Sequence, residues 1–296
     1  MPTQPTRRQF MQVASGLAAA AILPCKLGLA QDNREFLLSL SELSLRRLLE
    51  SKEIEHLDFV VLAKNEFGIA AVEYASPFFS GRATDEKFLD EMNERAADQG
   101  VRQLLIHVLE QVRIGDADAT RRQAALQSHR QWIDAAKMLG CHSIVVDVAP
   151  DDAAAGQQAR VVEGLLALCE YGERQRINVL INSTAPTDPA GLLNLIKLVK
   201  RPSCGTYLCF DSIVGNSTPD KVAGLMPITR GVSATSSEFD QQGNEKNRDF
   251  FRLMNLILEA GYRGYVGIEY RGNKLPEREG IGATKALLER VRAQRA

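Results

Sequence analysis

Short apolar segments alternate with longer amphipathic segments through most of the chain. The short segments are rich in β-branched and aromatic residues and predict strands, whereas apolar positions every three to four residues predict helices. The predicted strands are residues 36–40, 68–72, 103–108, 143–146, 178–181, 207–210, 228–233 and 265–268. The predicted helices are residues 85–99, 121–139, 159–174, 189–199 and 247–259.

Eight predicted strands separated mostly by helices indicate a parallel sheet closed into a barrel. Gly100, Gly140 and Gly261 follow three of the helices, where a residue with positive φ commonly ends a helix. An open doubly wound sheet is the alternative, but no GxGxxG phosphate loop follows any predicted strand. The expected fold is therefore α/β, a single parallel (β/α)₈ TIM barrel without an internal linker.

The N-terminus carries the pair Arg7-Arg8, then an uncharged apolar segment over residues 13–23 and small residues up to Ala30. Twin arginines before an apolar segment are typical of a Tat signal, which directs export of a folded protein. We expect a signal peptide over residues 1–30 and the barrel over residues 31–296, about the length typical of one barrel. The expected localisation is periplasmic, without stable membrane association after cleavage. The alternative is a cytoplasmic protein with an apolar N-terminus.

The net charge and the spacing of the cysteines exclude some classes of function. Of 36 basic and 37 acidic side chains, three basic ones lie within residues 1–30, which leaves 33 and 37 and a net charge of −4. This acidic balance argues against nucleic-acid binding, which depends on basic contacts to phosphates.

Cys141, Cys169, Cys204 and Cys209 show no metal-binding spacing, and we expect them to be buried and unpaired. A Cys204–Cys209 disulfide is the alternative.

Polar side chains stand at or just after the predicted strand ends. They are Glu73, His107 with Glu110, Asp147, Asn182, Asp211, Ser233 with Thr235, and Glu269. In a parallel barrel the carboxyl ends of the strands form the face that carries chemistry, so this acidic set predicts a polar small-molecule site. Carboxylate oxygens also suit a hard divalent cation. Single members have structural alternatives, such as a helix cap for Glu73, and the residues alone do not choose a reaction.

Several segments in a fixed order resemble a known family. They are residues 67–74 (FGIAAVEY), 132–141 (WIDAAKMLGC), 231–234 (GVSA), 239–240 (FD), 243–245 (GNE), 260–270 (AGYRGYVGIEY) and 279–281 (EGI). The chain resembles the xylose-isomerase-like TIM barrels, which include sugar-phosphate isomerases and epimerases and, more distantly, metal-dependent AP endonucleases. The resemblance covers nearly all of the chain after the signal segment.

This resemblance implies one divalent metal, held by a glutamate on strand five, an aspartate on strand six, a histidine or similar group, and a glutamate on strand eight. It makes Asp211 and Glu269 metal ligands for Mg²⁺, Mn²⁺, Co²⁺ or Zn²⁺. Three positions depart from the family pattern. Asn182 stands where similar relatives have the strand-five glutamate, Thr235 where they have a lysine, and Asp147 where they have an asparagine.

The expected function is that of a sugar isomerase or epimerase, which moves a proton next to a carbonyl with the help of a metal. The candidate catalytic residues are Glu269, Asp147 and His107, and the candidate substrate-binding residues are Glu73, Asn182, Ser233 and Thr235. The expected partner is a small-molecule sugar or sugar derivative. Two alternatives stay open: a catalytically inactive periplasmic sugar-binding barrel, and a lyase or hydrolase acting on oxidised sugars.

Overall fold

A computed structural model describes residues 36–110, 113–148, 156–183, 189–213 and 219–295, so the predicted signal peptide lies outside the described residues. Eight parallel strands form a closed barrel in chain order, and the last pairs with the first. The strands are β1 (Leu37–Ser41), β2 (Ala71–Ala75), β3 (Arg102–Val108), β4 (Ser143–Val146), β5 (Asn178–Asn182), β6 (Cys204–Cys209), β7 (Thr229–Ser236) and β8 (Tyr265–Tyr270). The predicted (β/α)₈ fold is confirmed.

Helices follow the strands and cover the barrel. They are α1 (Arg46–Glu50), α2 (Phe59–Asn65), α3 (Glu86–Asp98), α4 (Ala119–Met138), α5 (Gln157–Gln175), α6 (Pro189–Val199), α7 (Phe210–Ile213), α8 (Pro219–Leu225), α9 (Phe250–Glu259) and α10 (Glu277–Arg295). Short 3₁₀ turns lie at Glu42–Leu45, His56–Asp58, Ser76–Phe79 and Met226–Ile228. No helix in the described ranges is long and apolar enough to cross a membrane.

Local signals fix several helix ends. The side chains of Asp85, Asp118 and Asp249 accept hydrogen bonds from backbone N–H groups in the first turns of α3, α4 and α9. Such N-caps satisfy donors that the helix itself leaves unpaired. Gly100, Gly140 and Gly261 have positive φ after the same three helices, which confirms the predicted stops.

The structure corrects two element predictions. Strand β2 begins at Ala71 rather than at residue 68, because Gly68 has a φ of 66° and its N–H bonds to Lys64 at the end of α2. Helix α10 was not predicted. Its acidic residues in the first turn and arginines in the last are helix signals, but Gly280 and Gly282 weaken the helical pattern.

Two apolar clusters fill the molecule. The larger cluster lies between the strands and the covering helices. The smaller cluster consists of strand residues that share the inner face of the barrel, among them Ala71, Leu105, Val145, Leu180 and Tyr207. Because side chains on one strand face alternate every two residues, the next inward positions toward the carboxyl ends of β2, β3, β4 and β5 carry polar side chains. These are Glu73, His107, Asp147 and Asn182.

The four described cysteines are buried and free, as expected.

Candidate functional site

The candidate site has two levels inside one barrel. The upper level, which we call the barrel mouth, comprises Asp147, Asn182, Asp211, Thr235 and Glu269 at the carboxyl ends of β4 to β8. The lower level, the interior triad, comprises Glu73, His107 and Tyr207. The structure therefore brings the predicted residues into one barrel interior but places them at different depths.

Glu73 is the centre of the interior triad. It is the third residue of β2 and only 1% exposed, so it neither ends the strand nor caps a helix. Its carboxylate accepts hydrogen bonds from the hydroxyl groups of Ser39, at 2.6 Å, and Tyr207, at 2.5 Å. A Cβ atom on Gly267 would lie 2.7 Å from the same carboxylate. Because Gly267 has no side chain, the barrel interior has room for the buried Glu73 carboxylate.

His107 lies beside this carboxylate. Its Nε2 atom is 3.5 Å from Glu73, and its ring packs edge-on against Tyr207 with 4.7 Å between the centroids. The buried Nε2 makes no hydrogen bond to any residue that the structure describes. Burial, followed by the charges of Glu73 and Glu269, raises the pKa of Tyr207 well above its ordinary value, so the phenol stays protonated and donates to Glu73.

Tyr207 was missed as a site residue because it stands within an apolar strand segment. The available signal was its inward position on β6, two residues before Cys209 and four before Asp211.

Glu269 is the penultimate residue of β8 and is almost fully buried, with 1% of the residue exposed. It accepts hydrogen bonds from Ser233 Oγ at 2.6 Å and from Arg271 Nε at 2.8 Å. Burial raises its pKa, but the positive charge of Arg271, the electrostatic interaction with His107 and the hydrogen bonds from Ser233 and Arg271 outweigh this effect and lower the pKa overall. Glu269 is therefore a carboxylate at neutral pH.

Asp211 follows β6 directly, in the short helix α7. Its Oδ1 accepts a hydrogen bond from Arg248 Nε at 2.6 Å, and its Oδ2 lies 3.4 Å from Arg271 Nη1. Arg248 is in turn held by Glu245, at 3.0 Å, in the connection between β7 and α9. Both predicted metal ligands are thus paired with arginines.

The sequence prediction missed these two arginines for different reasons. Arg271 follows Glu269 by two residues and shares its strand face, so alternation could have identified it. Arg248 carries no such local signal, because it reaches Asp211 only through the folding of the connection after β7.

Asn182 occupies the strand-five position, and both ends of its amide have partners. Its Nδ2 donates to Asp147 at 2.9 Å, and its Oδ1 accepts from the Cys209 thiol at 3.2 Å. Burial, with the charge of Glu269 next, raises the pKa of Cys209, which keeps the thiol protonated as a donor. Asp147 is exposed at the mouth. On strand seven, the buried Thr235 hydroxyl lies 3.2 Å from Ser233.

These contacts test whether the mouth suits a divalent metal. Asp211 and Glu269 are joined through one guanidinium, and the strand-five position offers an amide already bonded at both ends. Within the ranges that the structure describes, no three His, Cys, Asp or Glu side chains form a group that could hold a metal ion. As they are bonded, the described residues of the mouth do not fit the predicted metal centre.

A cavity of about 560 Å³ borders Glu269 and Arg271. Its wall also includes Leu43, Leu109 and Asn273, together with charged side chains of α1. Arg46 of that helix pairs with Glu50 at 2.7 Å. The cavity therefore combines apolar surface with paired donors and acceptors next to the ionised Glu269.

Comparison with known proteins supports the architecture. The family model of the xylose isomerase-like TIM barrel matches residues 61–291. No functionally curated protein matches the sequence.

Solved structures share the fold at low sequence identity. An L-ribulose 3-epimerase has a TM-score of 0.72 at 12% identity, over 88% of this chain and 95% of its own. The IolI protein with a bound zinc atom has a TM-score of 0.71 at 14% identity, over 88% and 99%. A putative sugar phosphate isomerase/epimerase from Anabaena variabilis has a TM-score of 0.66 at 14% identity, over 86% and 99%. The family match spans well over half of the residues, and the chain belongs to the xylose isomerase-like TIM barrel family.

Proposed function

We propose that this protein binds a sugar or sugar derivative at the barrel mouth and moves a proton on the carbon next to the sugar carbonyl. The observation that carries the proposal is Glu269, an ionised and almost fully buried carboxylate beside an open cavity. Membership of a family with sugar isomerase and epimerase neighbours supports the same reaction class.

Glu269 is the group that accepts the proton. A carboxylate placed against the carbon next to a carbonyl removes that proton, and the C–H electron pair forms an enediolate. Arg271 N–H groups, beside Glu269, are positioned to stabilise the negative oxygen that develops. Return of the proton to the adjacent carbon, with transfer of the hydroxyl proton from one enediolate oxygen to the other, completes an isomerisation.

Asp147 supplies the second carboxylate that an epimerisation needs. In the closed order β1 to β8, strands β4 and β8 are four places apart in both directions, so their ends face each other across the mouth. Asp147 follows β4 and Glu269 is the penultimate residue of β8. A sugar between them meets one carboxylate on each face, so one residue can remove a proton and the other can deliver a proton taken from solvent to the opposite face.

Deuterium exchange tests this proposal. A panel of aldoses and ketoses is incubated with the full protein in D₂O, and NMR follows label at the carbon next to the carbonyl. Glu269→Gln should slow exchange by about 10²–10⁴-fold, the usual contribution of a general base. The matched control is Glu91→Gln, the same substitution in an exposed ion pair of α3 outside the cavity, which should leave exchange unchanged. Equal exchange in the wild type and Glu269→Gln contradicts the role of Glu269.

A sugar-binding barrel without chemistry is the second candidate. It is favoured by the pairing of Asp211 and Glu269 with arginines, because an ion-paired carboxylate of lowered pKa is a weak base. Ligand-observed NMR on the same sugar panel separates the two candidates: binding with label incorporation supports the enzyme, and binding without any incorporation supports the binding protein.

A further inference from the structure

Arg271 connects the two acidic side chains of the barrel mouth that lie on either side of β7. Its Nε and Nη2 contact Glu269 Oε1 at 2.8 and 2.6 Å, and its Nη1 lies 3.4 Å from Asp211 Oδ2. Glu269 is the penultimate residue of β8 and Asp211 lies two residues after β6, so the Arg271 side chain spans the intervening strand.

We propose that the guanidinium of Arg271 takes the position of a divalent cation between Asp211 and Glu269, so that the protein carries its own cation at this site. Two carboxylates face two arginines, since Arg248 holds the other oxygen of Asp211. Each of these two carboxylates therefore has a cationic partner without a bound metal, although Arg248 also pairs with Glu245. The proposal depends on these contacts alone and not on the identity of a sugar.

A metal ion entering this position would have to displace Arg271 from both carboxylates. The pairs are charge-assisted, which makes them stronger than neutral hydrogen bonds. Two described side chains that could serve as replacement ligands already have partners. The Asn182 amide bonds to Asp147 and Cys209, and the Glu245 carboxylate already accepts hydrogen bonds from its own connection and from Arg248.

Arg271 also retains donors for a ligand. A guanidinium has five N–H groups, and the three contacts with Glu269 and Asp211 each use one of them. The side chain is 42% exposed and lines the cavity beside Glu269. The neighbouring carboxylates outweigh burial and raise the pKa of Arg271, so its positive charge persists at any physiological pH. Oxygen atoms of a ligand in the cavity can therefore accept hydrogen bonds from the permanently charged guanidinium of Arg271.

Titration with Mn²⁺ and Zn²⁺, without sugar, tests the proposal on the full chain by calorimetry and thermal melting. The wild type should bind neither ion. Arg271→Ala frees Glu269 Oε1 and Asp211 Oδ2, while Arg248 keeps its bond to Asp211 Oδ1, and the variant should gain metal binding. At a metal concentration about ten times the dissociation constant, its melting temperature should rise by about 3–5 °C. Arg271→Lys keeps a positive charge and should gain none.

Arg46→Ala is the matched control, because it removes an arginine from the same cavity wall but frees only the exposed Glu50. It should gain no metal binding. If Arg271→Ala does not fold, Arg271→Met, which retains most of the apolar stem, takes its place. Stoichiometric metal binding by the wild type overturns the proposal, and so does a folded Arg271→Ala or Arg271→Met variant that binds no metal. Because no sugar is present, these outcomes are independent of the proposed reaction.

Discussion

At the scale of single residues, Tyr207 shows how the hydrogen-bond acceptors of a buried carboxyl group find donors within this barrel. It donates to Glu73, which is 134 positions away in the chain, at 2.5 Å. Ser39 donates to the other carboxylate oxygen at 2.6 Å. A carboxylate that loses one of two buried donors keeps its desolvation cost without the compensating bond.

Tyr207→Phe should therefore lower the free energy of unfolding by about 1–3 kcal/mol, the cost of leaving a buried acceptor unsatisfied. Denaturant unfolding followed by circular dichroism measures it. The control is Tyr171→Phe, which removes a hydroxyl that donates to Asp134 from the partly exposed surface of α5. There water replaces the lost donor, and the loss should stay below about 1 kcal/mol. Equal losses in the two variants would show that the interior triad contributes no special stability.

At the scale of elements, β8 combines a small residue with a functional one on the same inner face. Gly267 faces Glu73, and Glu269 follows two residues later at the mouth. A side chain at residue 267 would need the space that the Glu73 carboxylate occupies. Strand β8 thus positions the mouth carboxylate while leaving room for the deeper one.

Gly267→Ala should destabilise the protein by about 1–3 kcal/mol, because overpacking forces a buried side chain or the strand to move. Thermal melting measures the loss. The matched control is Gly282→Ala, an exposed glycine within α10 whose added Cβ meets no atom within 4 Å. This control should raise stability by about 0.5–1 kcal/mol, since alanine favours a helix over glycine. A neutral Gly267→Ala would mean that Glu73 has an alternative position.

At the scale of the whole molecule, export stays a prediction from the twin-arginine segment. Replacing both Arg7 and Arg8 by lysine should keep the protein in the cytoplasm with its first ~30 residues uncut, because a Tat signal depends on that pair. Cell fractionation and the mass of the purified chain measure the result. The control exchanges Arg34 for lysine, after the predicted cleavage site, and should leave export normal. A normal periplasmic yield from the double variant contradicts the predicted route.

The sequence by itself determined the architecture and the face that carries the site. Strand and helix periodicity are local properties, and short right-handed connections between parallel strands leave few arrangements other than a barrel. Once the strands were found, their carboxyl ends placed Asp147, Asn182, Thr235 and Glu269 at the mouth. A predicted strand boundary was wrong where a glycine, Gly68, belongs to the end of the preceding helix rather than to the strand.

Only the tertiary structure decided which charges meet. Asp211 pairs with Arg248, 37 positions later, and with Arg271, 60 positions later. Neither pairing follows from the local periodicity of the sequence. Closure of the barrel and the path of the connection after β7 set those distances. Since the attraction between two charges depends on their separation and on the surrounding dielectric, the sequence could supply two metal-like carboxylates but not the arginines that neutralise them.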